Sequence, residues 1–266
     1  MTTADEMGLT PEAARGYEQF FVPAIFEQWP PIMLASASIS DGDDVLDVGC
    51  GTGVFAREVT RRVGANGSVT GIDLSESMLG VAREMAAGVD FHQGSATNLP
   101  FEDASFDAVV SSFMLMFVPD PAQAIREMQR VLRPGGRLVV GVWQGLQDNL
   151  VYAALVAATD EVLGKEAAES MAWPFALGAT GQLSAVFEAA GIQDIQTTAH
   201  DGTARFPSVE DFVSTEIRAW LLADSADDQH IRAIGLELRS RYPDFVASAG
   251  PIEFPLNAVL ASCRKT

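Results

Sequence analysis

The sequence predicts an α/β fold that is doubly wound, with helices on both faces of a mostly parallel sheet. Short apolar runs alternate with helical stretches between residues 45 and 143, and this alternation is typical of βαβ units. The first run ends on Asp47, and a glycine-rich turn joins it to a helix. The second run ends on Asp73, so both runs place a carboxylate where ligands bind in such sheets.

The predicted elements follow one another in order along this region. Strands are predicted at 45–48, 69–72, 89–92, 106–111 and 137–143, and helices at 54–63, 76–87 and 121–132. The helix at 121 is the best marked, because Asp120 can cap it and Pro121 suits its first position. We expect Arg133-Pro134-Gly135-Gly136 to end this helix in a turn.

The segments on either side of this region are predicted to add helices. Residues 1 to 40 are interpreted as helical, with a break at Trp29-Pro30-Pro31. One face of this arm is predicted to carry Phe20, Phe21, Ile25 and Phe26. After residue 143 we predict helices at 149–163, 180–190 and within 208–240, and strands at 192–200 and 255–263.

The glycine turn, VLDVGCGTGVFA at 45–56, is the strongest functional signal. Gly49, Gly51 and Gly53 lack a Cβ, so they can adopt unusual backbone angles and let a ligand approach the main chain. The helix that begins near Val54 presents unpaired N–H groups. These features predict a site for a cofactor that carries a nucleoside.

The spacing of the glycines distinguishes between cofactors. A dinucleotide site has the pattern G-x-G-x-x-G/A, whereas here the third glycine comes one position early and Val54 stands where a small residue is expected. This spacing disfavours an NAD-type oxidoreductase. Asp73, at the end of the second strand, can accept hydrogen bonds from ribose hydroxyls.

Four motifs together carry a resemblance to a known family. They are VLDVGCGTG, GIDLSESML (71–79), GSATNLPFEDASFDAVVSS (94–112) and VLRPGGRLVV (131–140). In this order and spacing the chain resembles the class I S-adenosylmethionine (SAM) dependent methyltransferases. It is most similar to the group that includes the ubiquinone and menaquinone C-methyltransferases and many small-molecule methyltransferases. The resemblance covers residues 43 to 143.

The resemblance implies a set of cofactor-binding residues. The methionine part of SAM would be lined by Gly49, Gly51, Thr52 and Gly53, with Asp47 orienting its amino end. The ribose would be held by Asp73, and the adenine would pack on Leu74 and Met78 and meet Ser95 and Ala96 at its edge. The reactive methyl group would lie near Ser111, Ser112 and Phe113, and Tyr17 would close over the cofactor. Ser95 departs from the family, which usually has an acidic residue there, so this contact lacks ionic strengthening.

The resemblance also implies the whole architecture. We expect a seven-stranded, Rossmann-like methyltransferase sheet with an antiparallel last strand and helical lid insertions. The predicted parts are an N-terminal helical cap (1–40), a SAM-binding core (41–145) and the rest of the sheet (146–266), with insertions near 149–178 and 208–250. We expect these parts to form one structural domain.

Composition excludes several other classes of function. The chain has 266 residues and is 48% hydrophobic, enough to fill a substantial core. The net charge of -19 repels phosphate backbones, so nucleic acid is not expected as a partner. The two cysteines, Cys50 and Cys263, form no C-x-x-C pair, and no metal site is predicted.

No apolar run is long enough to span a membrane, and MTTADEMG lacks the features of a signal peptide. The sequence therefore predicts a cytoplasmic enzyme without membrane insertion, and it leaves the oligomeric state open.

The acceptor and the catalytic groups are less well marked. Aromatic side chains in the cap and the insertions are candidates for an apolar pocket or for core packing: Phe21, Phe26, Trp143, Trp173, Phe175, Phe206, Phe212 and Trp220. A small lipophilic or aromatic acceptor is therefore expected. His200 is the least implausible general base, ahead of His92 and His230, while Tyr17 and Tyr152 are comparable candidates. No catalytic residue is assigned, and a SAM-binding subunit without catalytic activity stays open as an alternative.

Overall fold

The structure is a computed structural model that describes residues 10–219, 226–242 and 250–266. Nine strands lie in these ranges: β1 Asp44–Val48, β2 Ser68–Asp73, β3 Asp90–Gln93, β4 Phe106–Ser112, β5 Leu132–Trp143, β6 Gln196–His200, β7 Thr203–Phe206, β8 Ile252–Pro255 and β9 Ala258–Arg264. Seven of them form a sheet with the order β3-β2-β1-β4-β5-β9-β6. Strands β1 to β5 pair in parallel, and β9 runs antiparallel to both β5 and β6. The predicted fold class is confirmed.

The α-helices of the described part of the chain are α1 Pro11–Gly16, α2 Trp29–Ser36, α3 Val54–Val63, α4 Glu76–Met85, α5 Pro121–Val131, α6 Leu150–Leu163, α7 Lys165–Ala172, α8 Gln182–Ala189, α9 Val209–Ala219 and α10 Asp228–Arg241. Short 3-10 helices lie at Gly64–Asn66, Leu115–Phe117 and Trp173–Gly178. Asp120 caps α5 as predicted, because its carboxylate accepts from the Gln123 amide at 2.9 Å. None of the described helices is both long and apolar enough to cross a bilayer.

The N-terminal arm winds differently from the prediction. Residues Tyr17–Phe26 form a π-helix, in which the Glu27 amide donates to the Val22 carbonyl five residues earlier. Pro23 lies inside it and favours the wider winding, since its ring would crowd the carbonyl four residues earlier in an α-helix. Phe20 was predicted on the buried face, and this is wrong, because its side chain is 55% exposed.

The break in this arm comes slightly earlier than predicted. Residues 27–28 form the turn, and Trp29-Pro30-Pro31 begins α2 rather than interrupting a helix. Proline suits the first turn of a helix, where the amide has no intrahelical acceptor. The indole N–H of Trp29 donates to the Ile25 carbonyl at 2.9 Å, which ties the two helices together.

Two strand boundaries also differ from the prediction. β5 begins at Leu132, directly after α5, and residues 133–136 form an irregular part of the strand instead of a turn.

The predicted strand at 255–263 is divided into β8 and β9. Asn149 and Asn257 explain this division, because the Asn257 amide donates to Asn149 Oδ1 at 2.7 Å instead of to a neighbouring strand. β8 pairs with β7 in a small second sheet that the sequence did not predict.

One hydrophobic cluster connects these elements. It extends from Phe21 in the arm, through the sheet, to Cys263 in β9. Buried residues of α6, α7, α9 and α10 belong to the same cluster. The inserted helices therefore pack on the sheet through a shared core, which supports the expectation of one domain.

Candidate functional site

The glycine turn between β1 and α3 is fixed by backbone hydrogen bonds to β2. The Gly49 and Cys50 amides donate to the Ile72 carbonyl at 2.7 and 3.1 Å. Gly49, Gly51 and Gly53 all have positive φ, at 73°, 53° and 82°. A Cβ on Gly49 would lie 2.2 Å from Met114 Cγ, so this position needs glycine for space as well as for conformation.

Asp73 links this turn to the start of α4. One carboxylate oxygen accepts from the Gly51 amide and the other from the Ser75 amide, both at 2.9 Å. Burial raises the pKa of Asp73, and the Ser75, Gly51 and Leu74 amides offset part of this effect. Each carboxylate oxygen has a second lone pair, so Asp73 can still accept hydrogen bonds from a ligand.

A cavity of about 510 Å³ opens at this carboxyl edge of the sheet. Its size lies in the range of small-molecule sites. Most of the predicted cofactor residues line it: Tyr17, Gly49, Gly51, Asp73, Leu74, Met78, Ser95, Ala96, Ser112 and Phe113. We call this space the large cavity.

Asp47 and Thr52 line a smaller side recess next to the large cavity, together with Tyr17, Gly49 and Gly51. The Asp47 side chain is 1% exposed, and neither of its oxygens has a hydrogen-bond partner among the described residues. Burial and the nearby Asp73 raise the pKa of Asp47 to about 8, and the Ala56 amide offsets only part of the shift. The hydroxyl of Thr52 is also buried and has no partner in the described part of the chain. Such unsatisfied groups are costly, and a polar ligand would relieve the cost.

Two predicted residues line neither space. Gly53 caps α3, and a Cβ there would lie 3.3 Å from Phe91 Cζ, so this glycine lets the start of α3 pack closely against Phe91 of β3. Ser111 is fully buried in β4, and its hydroxyl has no partner among the residues described. The structure therefore brings most, but not all, of the predicted residues to the ligand space.

One wall of the large cavity was missed by the sequence reasoning. It consists of Met114, Phe117, Val118, Pro119, Asp120 and Gln123. No ligand contact was predicted for these residues, and Asp120 was interpreted only as a helix cap. Their position after the carboxyl end of β4 was the available signal, because ligands bind outside the carboxyl ends of the strands in such sheets.

Phe113 separates the large cavity from a second space. Its φ of 55° is in the left-handed region, which is strained for a residue with a Cβ. Its ring stacks on Trp143 with centroids 3.9 Å apart, and its amide donates to the Gly141 carbonyl at 2.9 Å. Packing and hydrogen bonding thus hold the strained residue at the end of β4.

The second space is an inner cavity of about 30 Å³. It is lined by Ile25, Phe26, Phe113, Phe117, Trp143, Tyr152, Ser170, Met171, Pro174, Phe175 and Glu216. The Tyr152 hydroxyl donates to Glu216 Oε1 at 2.6 Å. Burial raises the pKa of Glu216 to about 7, and the hydrogen bond from Tyr152 offsets part of the shift.

The remaining candidates lie elsewhere. His92 pairs with Asp90, His200 with Thr198 and His230 with Asp227, and these histidines line none of the three spaces. Three of the predicted aromatic residues line the inner cavity: Phe26, Trp143 and Phe175. Three others belong to the hydrophobic core: Phe21, Phe206 and Phe212. Trp173 packs on Phe117, and Trp220 lies outside the described residues. Within the described ranges no cluster of three or more metal-binding side chains occurs.

Comparisons with known proteins agree with this geometry. Residues 46–140 match the family described as methyltransferase domain. The chain is 42% identical over 120 residues to a demethylmenaquinone methyltransferase of Staphylococcus epidermidis, a match that covers 43% of this chain and 50% of that protein. The chain thus matches about half the length of these curated relatives.

Solved structures share the fold over a larger part of the chain. A putative methyltransferase from Bacillus halodurans superposes with a TM-score of 0.62 at 20% identity, covering 89% of this chain and 98% of that one. A phosphoethanolamine N-methyltransferase 2 from Haemonchus contortus, solved with S-adenosylhomocysteine, has a TM-score of 0.61 at 18% identity and covers 98% of this chain and 59% of that one. At these identities the likeness establishes the fold alone.

Proposed function

We propose that the chain, whose residues 46–140 match the methyltransferase domain family, transfers a methyl group from SAM to a small, lipophilic or aromatic acceptor. The observation that carries the proposal is the pair of carboxylates, Asp47 and Asp73, on either side of the glycine turn. Asp47 has no hydrogen-bond partner among the described residues, and Asp73 has free acceptor capacity at the cavity wall.

The residues present fit SAM. Asp47 would receive its ammonium group, since a cation relieves the cost of a buried, unpartnered carboxylate. Asp73 would accept from the ribose hydroxyls, while Leu74 and Met78 offer an apolar surface for the adenine. When bound, SAM supplies a methyl group that is already activated by its sulfonium.

The work of the chain is then to orient the acceptor and exclude water. Positioning alone lowers barriers by about 7–11 kcal/mol in favourable intramolecular reactions. Tyr17 and Phe113 line the large cavity from the arm and from β4, so both are placed to close it around the reacting groups.

An aromatic acceptor of the quinone type is supported by two observations. The curated relatives are named as demethylmenaquinone methyltransferases. In this chain, the rings of Phe113 and Phe117 line the large cavity and can stack on a flat apolar ring. Analysis of the methylated product would identify the atom that receives the methyl group.

Calorimetry with SAM, S-adenosylhomocysteine and NAD tests the proposal. We expect binding of both adenosyl ligands and none of NAD. Asp73→Ala should weaken S-adenosylhomocysteine binding by about 100-fold, because hydrogen bonds to a charged group are lost. Asp90→Ala is the matched control, since Asp90 is exposed and pairs only with His92. Equal binding by the Asp73→Ala variant and the native protein would refute the ribose assignment.

A further inference from the structure

The inner cavity contains a buried polar pair, Glu216 and Tyr152, in a mostly apolar lining, while the Ser170 hydroxyl donates to the Glu166 carbonyl. We propose that Glu216 and Tyr152 bind a hydroxyl group of the acceptor, and that Glu216 accepts the proton of that hydroxyl. This inference rests on the proposed methyltransferase function. It deepens that function by assigning the side chains that recognise the acceptor hydroxyl.

The first argument is the incomplete hydrogen bonding of the pair. Tyr152 is 4% exposed and Glu216 is 5% exposed. Glu216 Oε1 accepts from the Tyr152 hydroxyl, and the other carboxylate oxygen accepts no hydrogen bond from the described residues. A buried carboxyl group with spare acceptor capacity costs stability, and a well-packed apolar residue would avoid that cost.

The second argument is the position of the pair. Phe113 and Phe117 line both the inner cavity and the large cavity, so these two rings are the shared wall. Ser112 precedes Phe113 and lines the large cavity where the reactive methyl group is expected. An acceptor ring beside Phe113 and Phe117 would therefore lie next to the space that Glu216 lines.

The third argument is the chemistry of the lining. A volume of about 30 Å³ exceeds the 10–15 Å³ that one water needs, so a single hydroxyl fits. None of the described residues that line the cavity is Lys or Arg, so a phosphate or carboxylate would have no cationic partner there. The lining therefore selects a neutral hydrogen-bond donor on an apolar ring.

The proton transfer balances within the pair. With Glu216 in its ionised form, the O–H bond of the acceptor breaks, the proton moves to the free carboxylate oxygen of Glu216, and the electron pair stays on the acceptor and raises its nucleophilicity. Tyr152 holds the carboxyl group in place through Oε1. Because burial raises the pKa of Glu216 to about 7, it is a stronger base than an exposed glutamate.

Equilibrium dialysis with 1-naphthol and naphthalene tests the inference at saturating S-adenosylhomocysteine. We expect the native protein to bind 1-naphthol about 10-fold more tightly than naphthalene, because one buried hydrogen bond contributes about this factor to the affinity. Glu216→Gln should bring this ratio close to one, because the amide is a much weaker proton acceptor. Tyr152→Phe should reduce the ratio less. Affinity for naphthalene should stay the same in both variants.

Glu253→Gln is the matched control, since Glu253 is an exposed carboxylate paired with Arg205, and its ratio should equal that of the native protein. An unchanged ratio in Glu216→Gln, or no preference for 1-naphthol in the native protein, overturns the inference. If Glu216→Gln does not fold, an unchanged ratio of the two affinities in Tyr152→Phe overturns the inference instead. Failure of the native protein to bind S-adenosylhomocysteine would instead refute the proposed function, so the two failures are distinguishable.

Discussion

The large cavity and the inner cavity share Phe113 and Phe117 but are assembled in different ways. Apart from Tyr17, the large cavity is lined by one stretch of chain between Val48 and Gln123. The inner cavity is lined by residues from Ile25 to Glu216, which come from the arm, the sheet with the segment after β4, and four inserted helices. Local motifs therefore specify the first space, whereas long-range packing creates the second.

The buried carboxyl groups show the same contrast. Asp47 lies beside another carboxylate at the glycine turn, and its pKa is raised to about 8 by burial and by Asp73. Glu216 faces a tyrosine from a different helix, and its pKa is raised to about 7 by burial. We expect a ligand charge to relieve the cost at Asp47 and an acceptor hydroxyl to relieve it at Glu216.

The largest expected effect is a loss of folding stability from a substitution in the arm that contributes to the inner cavity. Phe21→Ala should lower the free energy of unfolding by about 3–5 kcal/mol, since Phe21 is fully buried. Phe20→Ala should change it by no more than about 0.5 kcal/mol, because Phe20 is exposed on the π-helix. Urea unfolding measures both values. Equal losses would show that the π-helix does not set which phenylalanine is buried.

The next effect tests the buried state of Glu216. The unfolded pKa is 4.5 and the folded pKa is about 7, so the native state keeps a proton that the unfolded chain has released. Stability should therefore fall as pH rises from about 4.5 to about 7, by about 3 kcal/mol for this group. Glu216→Gln should lack this contribution, and the difference between the two unfolding curves as a function of pH isolates it.

Two charged groups on the elements packed around α9 are held in ion pairs. Arg205 on β7 pairs with Glu253, and Arg239 on α10 contacts Glu210, while Tyr152 on α6 bonds Glu216 itself. A difference curve that is flat from pH 4.5 to 8 would contradict the buried, uncharged state.

A smaller effect tests Asp47 at the large cavity. With a pKa of about 8, Asp47 holds a proton at pH 7 in the ligand-free protein. Binding of S-adenosylhomocysteine should release about 0.9 proton at pH 7, because its ammonium group favours the charged carboxylate. Calorimetry in buffers of different ionisation enthalpy counts these protons. Asp47→Asn should release almost none; an unchanged count would place the ammonium group elsewhere.

The smallest expected effect concerns Ser95, which lines the large cavity and bonds the Thr97 hydroxyl at 2.9 Å. Ser95→Asp should tighten binding of S-adenosylhomocysteine about 5-fold, since a carboxylate makes a stronger hydrogen bond with the adenine amino group. Ser105→Asp on an exposed turn is the control, and the two dissociation constants from calorimetry are compared. Weaker binding by Ser95→Asp would show that the adenine edge lies away from this residue.

Most of the sheet could be predicted because its signals are local. The apolar run of β1, the glycines after it and Asp73 at the end of β2 each follow from a few neighbouring residues. The start of β5 could not be predicted in this way, because Arg133-Pro134-Gly135-Gly136 has the composition of a turn but forms an irregular part of β5 between Leu132 and Arg137, which both pair with β4. The division between β8 and β9 depends on Asn149, more than a hundred residues away from Asn257.

The sequence by itself determined the order of strands and helices, the glycine turn and about half of the wall of the large cavity. These features depend on backbone conformation and side-chain periodicity over short stretches of chain. The tertiary structure alone decided that Phe20 faces solvent and that Tyr152 meets Glu216 in an aromatic cavity. Both outcomes depend on helix winding and on packing between distant segments, and residues far apart in the chain leave no local pattern that records their contact.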